Sequence, residues 1–279
     1  MNRVEHHIQK TDGNRLYITE YQSEPLLAKN VLICLHGLGS SGGEFAPLAE
    51  QLAHKGCPVF LLDFSGHGRS QGTRGLLTQK IILDDCAAVL ELIRQQYGPR
   101  PCVAAGHSLG AYAALTAAVV FEQITGCVLI APQIKSGNSL SFSRRGLLHL
   151  IGWLYTLLPC LPSCYVKNPA SYETLFSSRH AADSARRANF MAAELNLKIC
   201  ALAKDINNLN LVRQLEKPLL FFAGGQDKQI PVNNVKRLAD QASARDKRLI
   251  VLEHSGHSPF YEQENDQLTQ ELMNFLKSL

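Results

Sequence analysis

The chain has 279 residues and a formal net charge of +4. With 46% hydrophobic and 19% charged residues, it has the composition of an ordinary globular protein, which excludes a chain that is disordered over most of its length. So small a charge surplus also excludes a general nucleic-acid binder, because such proteins concentrate many basic residues on one face.

Apolar runs alternate with amphipathic segments along most of the chain. The first two predicted strands, Val4–Gln9 and Arg15–Tyr21, flank an Asp-Gly turn and indicate a β-hairpin. The other predicted strands are the apolar runs Asn30–Leu35, Pro58–Leu62, Pro101–Ala105, Cys127–Ala131, Pro218–Phe222 and Arg248–Glu253. The predicted helices are Glu44–His54, Thr78–Tyr97, Leu109–Phe121, Val232–Ala242 and a last helix that ends at Leu279. Continuous apolar runs followed by helices predict a mainly parallel central sheet with helices on both faces.

One internal segment, residues 133–204, breaks this alternation and has a mostly helical pattern. It follows one predicted strand of the sheet and precedes the next, so we expect a cap inserted into a single core made of residues 1–132 and 205–279. The cap holds nine basic and three acidic residues, a local charge of +6, whereas the rest of the chain carries −2. Two of the basic residues, Arg144 and Arg145, directly precede its apolar stretch.

That apolar stretch, Gly146–Val166, has no formal charge and is long enough to span a membrane. Pro159 and Pro162 interrupt its second half, and the sequence on both sides is typical of one soluble domain, so a cap helix is favoured over a membrane span. Its leucines, with Trp153 and Tyr155, have two interpretations. They form a lid over an acyl-chain pocket that transiently touches an anionic membrane surface, or they only pack the cap onto the core.

The cysteines and the N-terminus bear on the cellular compartment. Eight cysteines occur at wide, irregular spacings, with no CxxC pair and no zinc-type Cys/His cluster. The first ten residues are polar and have no signal-peptide core. We therefore expect a reduced, cytoplasmic protein, peripheral to the membrane if the cap touches lipid. A disulfide is an alternative only for Cys160 and Cys164, which are close in sequence.

A G-x-S-x-G motif, Gly106-His107-Ser108-Leu109-Gly110, stands between a predicted strand and a predicted helix. This is the setting of a nucleophile elbow, a tight turn that holds a serine in a strained conformation with its hydroxyl above the sheet. The sequence therefore predicts Ser108 as a nucleophile.

A serine hydroxyl needs a general base, and the base needs an acid that orients it. Asp227, in the loop after a predicted strand, is the candidate acid. Asp240 and Asp246 are alternatives that lie in or after a helix, away from the strand ends where ligands bind. His257, between the last predicted strand and the last helix, is the candidate base, and His254 is the alternative.

An oxyanion needs two backbone donors. The candidates are the Leu109 N–H, at the start of a predicted helix, and the Leu38 N–H, in the glycine-rich loop that begins at His36. We expect His36 itself to make a structural hydrogen bond in that loop. The candidates for contact with the substrate are His36, His107, Trp153 and Tyr155.

Taken together, these motifs resemble the α/β-hydrolase superfamily and, within it, the monoacylglycerol lipase and lysophospholipase group. The matching segments, in order, are HGLG at 36–39, DFSGHGRSQGTRG at 63–75, the elbow at 106–110, GGQD at 224–227 and GH at 256–257. The resemblance implies the α/β-hydrolase fold, a Ser-His-Asp triad and acyl-ester substrates, but it does not extend to the cap. Within the second segment, Arg69 and Arg74 either shape the loop beside the active site or are solvated charges.

We therefore expect a serine hydrolase that cleaves monoacylglycerols, lysophospholipids or similar carboxylic esters through an acyl-enzyme. Ser108 argues against the dehalogenases and epoxide hydrolases of this fold, which use an aspartate nucleophile. With neither a metal constellation nor a dinucleotide fingerprint in the sequence, no cofactor and no metal are implied. Alternatives on the same fold are a thioesterase or acyltransferase with the same triad, and a ligand-binding receptor without catalysis.

Overall fold

In the computed structural model, eight of the ten described strands form one large sheet, and the other two form a small one. The structure describes residues 1–22, 25–134, 142–158, 160–168, 170–203 and 206–279. The strands are β1 (Asn2–Gln9), β2 (Arg15–Gln22), β3 (Val31–Leu35), β4 (Val59–Asp63), β5 (Cys102–His107), β6 (Ile124–Ile130), β7 (Tyr165–Lys167), β8 (Glu194–Asn196), β9 (Leu219–Gly224) and β10 (Lys247–Leu252). The helices are α1 (Ala46–His54), α2 (Gln79–Tyr97), α3 (Leu109–Val120), α4 (Phe142–Leu157), α5 (Tyr172–Leu175), α6 (Arg179–Ala188), α7 (Cys200–Ala203), α8 (Asn208–Gln214), α9 (Val232–Asp240) and α10 (Asn265–Ser278).

The large sheet has the strand order β1-β2-β4-β3-β5-β6-β9-β10. The hairpin β1–β2 and the pair β2–β4 are antiparallel, and every other pairing in this sheet is parallel. The prediction of a mainly parallel sheet is thus confirmed. Because neighbouring parallel strands end at the same edge, the loops that follow β3, β5, β9 and β10 all begin on one side of the molecule.

The central strands are buried on both faces, which explains why they are continuously apolar. In β3, Ile33 and Leu35 face a core formed with α2, α3 and α9. Leu32 and Cys34 alternate with them and face a second core formed with α1 and α10. One strand therefore anchors both layers of helices.

Helix α1 begins later than the sequence predicted. The prediction began the helix at Glu44, whereas a 3-10 turn occupies Gly42–Phe45 and the α-helix starts at Ala46. Amphipathic periodicity could not separate the two, because Phe45 in the turn is buried like the apolar residues of the helix.

Between β6 and β9 the chain forms α4 to α8 and a second, two-stranded sheet. β7 and β8 pair antiparallel in this small sheet, with Val166 opposite Leu195. The sequence did not predict it, because strands of three residues carry no readable alternation. The region is mostly helical, as predicted. Its proposed limits at 133 and 204 stay a prediction, and Lys204 lies outside the described residues.

The described helices include none that is both long enough and apolar enough to cross a membrane. All eight cysteines are free thiols, and among them only Cys160 and Cys164 are exposed. The α4 helix ends at Leu157, ahead of the first of the two prolines that the sequence analysis identified.

Helix α3 approaches the sheet so closely that glycine is required at the contact. A Cβ atom on Gly110 would lie 1.9 Å from the carbonyl oxygen of Leu35, and one on Gly106 would lie 2.0 Å from the carbonyl oxygen of Gly110. The alanines that follow, Ala111, Ala113 and Ala114, are all buried against the sheet.

Gly110→Ala is therefore expected to destabilise the fold by about 3 kcal/mol, since a rigid backbone atom, not a movable side chain, blocks the added methyl group. Urea unfolding followed by circular dichroism measures the change. Gly43→Ala is the matched control, because its Cβ would meet no atom closer than 3.6 Å. We expect the control to stay within about 1 kcal/mol of wild type. Equal losses in the two variants would contradict the close-contact explanation.

Candidate active site

The turn between β5 and α3 holds Ser108 in a strained backbone conformation. Ser108 has φ 53° and ψ −111°, and it is one of three non-glycine residues with positive φ in the described chain. Its N–H donates to the carbonyl of Ile130 at 2.9 Å, which ties the turn to the end of β6. The strand, turn and helix follow one another as the G-x-S-x-G motif predicted.

The loops after β9 and β10 bring Asp227 and His257 together. Nδ1 of His257 lies 2.7 Å from Oδ2 of Asp227, and the side chains are 3% and 0% exposed. The other carboxylate oxygen of Asp227 accepts the N–H groups of Gln229 and Ile230, which fixes its orientation. Because an ionised carboxylate only accepts, Nδ1 of His257 carries the proton and Nε2 is left to accept one.

The alternative residues lie elsewhere. His254 is exposed, and its N–H donates to Glu264. Asp240 is exposed at the end of α9, and Asp246 forms an ion pair with Arg248. Among the described contacts, none joins these residues to Asp227 or His257.

The loop after β3 passes directly beside the turn of Ser108. A Cβ atom placed on Gly37 would lie 3.5 Å from Cβ of Ser108, so glycine permits this approach. Within the described part of the chain, the N–H groups of Leu38 and Leu109 donate to no protein acceptor. Two free backbone donors therefore flank the serine, as an oxyanion hole requires.

His36 and His107 are buried, and each makes two hydrogen-bonding contacts within the protein. In His36, Nδ1 contacts the carbonyl of Gly37 at 2.9 Å and Nε2 accepts the N–H of Phe64 at 3.2 Å, in line with the structural role expected for it. In His107, Nδ1 contacts Glu44 at 3.2 Å and Nε2 contacts the carbonyl of His257 at 3.0 Å. Their contact with substrate stays a prediction, and both rings already bind protein groups.

Glu44 is a site residue that the sequence analysis did not identify. It is 2% exposed, and its carboxylate accepts the N–H of Gly37 at 2.9 Å and the hydroxyl of Ser40 at 2.7 Å. In the sequence it is one more glutamate at the start of a helix, a position that commonly faces solvent. Only the 3-10 turn, which points the side chain back at the loop, reveals its role.

The segment 63–75 supports the loop after β3 from its other side. Asp63 accepts the N–H of Gly42 at 2.7 Å and the N–H of Arg69 at 2.8 Å. The Arg69 guanidinium donates to the hydroxyl of Tyr17 at 2.7 Å and to Glu5 at 3.0 Å. The Arg69 side chain is 60% exposed, so it connects this segment to β1 and β2 while staying largely in contact with solvent.

A cavity of about 870 Å³ lies between this loop and the cap. Gly39, Ser40, Arg69, Arg74 and Leu195 are among the residues that line it. The lining includes neither Ser108 nor His257, so the cavity is separate from the elbow serine and from the Asp227–His257 pair.

The cap contacts the loop of His257 on both sides. The N–H of Ser258 donates to the carbonyl of Leu175 at 3.0 Å. Glu262, 7% exposed, accepts the N–H and hydroxyl of Ser177 together with the N–H of Gly256. The cap therefore helps to hold the loop of His257 in place.

A further cap contact reaches the loop after β3, where the N–H of Ala192 donates to the carbonyl of Gly39 at 2.7 Å. Trp153 is 63% exposed, and Tyr155 is buried, with its hydroxyl donating to the carbonyl of Pro162 at 3.3 Å. No described contact connects either aromatic ring to Ser108, so their role toward substrate stays a prediction. Within the described residues, no group of three or more His, Cys, Asp or Glu side chains could hold a metal ion.

Comparison with known proteins agrees with this geometry. The family described as serine aminopeptidase, S33, a group of α/β-hydrolases, matches residues 27–264. The match covers most of the chain, so the protein belongs to this family.

Individual relatives are named for ester cleavage. Human monoglyceride lipase is 25% identical over 264 residues, which cover 90% of this chain and 82% of the relative. Pimeloyl-[acyl-carrier protein] methyl ester esterase of Xanthomonas oryzae is 26% identical over 268 residues, covering 89% and 95%. The crystal structure of Paleococcus ferrophilus monoacylglycerol lipase superposes with a TM-score of 0.80 at 19% identity, covering 94% of this chain and 98% of that one.

The chain is therefore a carboxylic ester hydrolase of the lipase and esterase type with the α/β-hydrolase fold. The resemblance to monoacylglycerol lipases that the motifs indicated is confirmed.

Glu262→Ala is expected to lower the free energy of unfolding by about 3 kcal/mol, because the buried N–H of Gly256 and the part-buried N–H of Ser177 would be left without an acceptor. Urea unfolding measures the loss. The matched control is Glu122→Ala, which removes the same side chain from an exposed position and is expected to change the free energy of unfolding by less than about 0.5 kcal/mol. A Glu262→Ala variant as stable as the control would refute the bracing role.

Proposed function

We propose that this enzyme cleaves esters through a triad of Ser108, His257 and Asp227. The observation that carries the proposal is the buried 2.7 Å hydrogen bond between Asp227 and His257. His107, the residue before Ser108, contacts the main chain of His257 at 3.0 Å, so this pair lies beside the strained turn. The bond fixes the tautomer and direction of the imidazole, so Nε2 is the nitrogen that can accept the serine proton.

In the proposed reaction, Ser108 Oγ attacks the ester carbonyl while His257 Nε2 takes its proton. The N–H groups of Leu38 and Leu109 bind the oxyanion of the tetrahedral intermediate. His257 then gives the proton to the departing alcohol and leaves an acyl-serine. A water molecule, deprotonated by the same nitrogen, hydrolyses the acyl-serine and restores the free hydroxyl.

We further propose that the acyl group is a medium or long chain, as in monoacylglycerols and lysophospholipids. Two relatives that cover most of the chain are named for monoglycerides, which supports this substrate class. Apolar side chains exposed on and after α4 support transient contact with a membrane surface: Leu147, Leu150, Trp153, Leu154, Leu157 and Leu158. The side chains of Arg144 and Arg145, to which the sequence assigned contact with anionic lipid, lie outside the described residues.

Ser108→Ala is expected to abolish labelling by a fluorophosphonate probe, and Asp227→Asn to lower kcat by about four orders of magnitude, since the imidazole would lose its orienting acceptor. Gel fluorescence and p-nitrophenyl ester hydrolysis measure the two effects. Ser278→Ala, an exposed serine in the last turn of α10, is the matched control and should keep full labelling. Wild-type protein that folds but does not label would contradict the proposed chemistry.

A panel of p-nitrophenyl esters and monoglycerides from two to eighteen acyl carbons, with and without anionic phosphatidylglycerol vesicles, tests the substrate class. We expect kcat/KM to peak at medium or long chains and vesicles to raise turnover of the long-chain monoglycerides. A profile that peaks at acetate would contradict the proposed acyl group.

In the same panel, the double variant Leu150→Ser with Leu157→Ser should reduce vesicle binding at least about tenfold, because two exposed leucines no longer enter the lipid. Its hydrolysis of a water-soluble ester should be unchanged. Val120→Ser removes an exposed apolar side chain of α3 and should not affect vesicle binding. Equal vesicle binding by all three proteins would exclude α4 as the contact surface.

A further inference from the structure

A buried carboxylate and a buried imidazole lie between the two loops that carry the proposed chemistry. The side chains of Glu44 and His107 are 2% and 4% exposed, and Oε1 of Glu44 is 3.2 Å from Nδ1 of His107. Neither side chain is part of the proposed triad, and burying charged groups is costly unless each has a partner.

The contacts of His107 determine how many protons its ring carries. Its Nδ1 faces a carboxylate oxygen and its Nε2 faces the carbonyl oxygen of His257, at 3.0 Å. Both of these oxygens accept hydrogen bonds, whereas a neutral imidazole has only one N–H to donate. With Glu44 ionised, both contacts are satisfied together only by the doubly protonated imidazolium, because a carboxylate has no proton to donate to Nδ1.

The surroundings favour this charge state. Burial opposes the charged form of His107. Attraction to Glu44 and the hydrogen bond with it, together with the His257 carbonyl and the charge of Asp227, outweigh burial and raise the His107 pKa above its usual value. Burial likewise opposes ionisation of Glu44. Attraction to His107 and the hydrogen bond with it, together with His36 and the Ser40 hydroxyl, outweigh burial, so the Glu44 pKa is lowered.

Each member of the pair holds one of the two loops. Glu44 accepts the N–H of Gly37, the residue before the proposed oxyanion donor Leu38, and the hydroxyl of Ser40. His107 donates to the main chain of His257, and the centres of the two rings are 4.9 Å apart. One ion pair thus joins the oxyanion loop to the loop of the base.

We propose that Glu44 and His107 form a buried imidazolium–carboxylate pair. We also propose that Glu44 is a positioning residue, which fixes the position of the Leu38 N–H relative to His257. The positioning role rests on the proposed function, because it presumes that Leu38 and His257 act on the same ester. The charge state of the pair does not depend on that function.

Glu44→Gln keeps the size of the side chain and removes its charge. One amide oxygen cannot replace two carboxylate oxygens, and the imidazolium loses its counter-charge, so one of the two loops loses its anchor. We expect kcat for a soluble p-nitrophenyl ester to fall about 100-fold, the size typical of a misplacement near 1 Å or of a weakened oxyanion donor, with KM changed less than about threefold.

The matched control is Asp85→Asn, which removes the charge of another fully buried carboxylate. Asp85 accepts hydrogen bonds from Ser65 and Lys10, and none of its described contacts reaches the oxyanion loop or the loop of His257. It should lose stability while keeping kcat. Full kcat in Glu44→Gln, or an equal drop in the two variants, would overturn the positioning role. Should Glu44→Gln not fold, Ser40→Ala, which removes one contact to the same carboxylate, is expected to lower kcat about tenfold at unchanged KM, and unchanged kcat there would overturn it.

The charge state is read directly by NMR of protein labelled with ¹⁵N-histidine, with His107→Gln used to assign the signals. We expect two protonated ring nitrogens for His107 at pH 7, and a single one in Glu44→Gln. A neutral His107 ring in the wild type would overturn the ion pair. Absence of fluorophosphonate labelling at Ser108 would instead refute the proposed function, and the NMR result would still decide the pair.

Discussion

The close contact of α3 with the sheet is the constraint on which the site depends. At Gly106 and Gly110 the helix and the strands touch backbone to backbone, with no room for a methyl group. The chain can enter α3 at this distance only through a tight turn, and that turn places Ser108 at φ 53°. The strain of the serine is therefore a product of packing in the core, and the loops after β3, β9 and β10 are arranged around it.

Those loops are held largely by carboxylates that accept backbone N–H groups. The carboxylates that do so around the site are Glu44, Asp63, Asp227 and Glu262. A carboxylate in this role makes strong, charge-assisted bonds and needs no regular secondary structure, so it can fix loops whose shapes are irregular. The arrangement explains how glycine-rich segments such as 36–43 and 63–75 are kept in one conformation.

The sequence predicted most where a motif with reactive side chains directly follows an apolar run. Strand ends could be located from apolar runs, and motifs placed Ser108, Asp227 and His257 at three of those ends, before any geometry was known. Asp227 and His257 meet, and Ser108 lies at the same edge of the sheet, because parallel pairing brings the carboxyl ends of strands to one edge. Glu44 could not be found in this way, because its partners are backbone groups and a histidine 63 residues away. The β7–β8 pair was missed because three-residue strands leave no pattern.

The contacts between the cap and the loop of His257 have a consequence for how such enzymes diversify. Leu175 supplies a carbonyl to Ser258, and Ser177 binds Glu262 beside Gly256. A cap attached in this way cannot be exchanged as a free module. Any replacement must present a carbonyl and a donor at the same two points, or the loop of His257 loses part of its support. The outer helix α4 makes none of these contacts and is free to change in sequence, while the stretch around 175–177 is bound to the loop of His257.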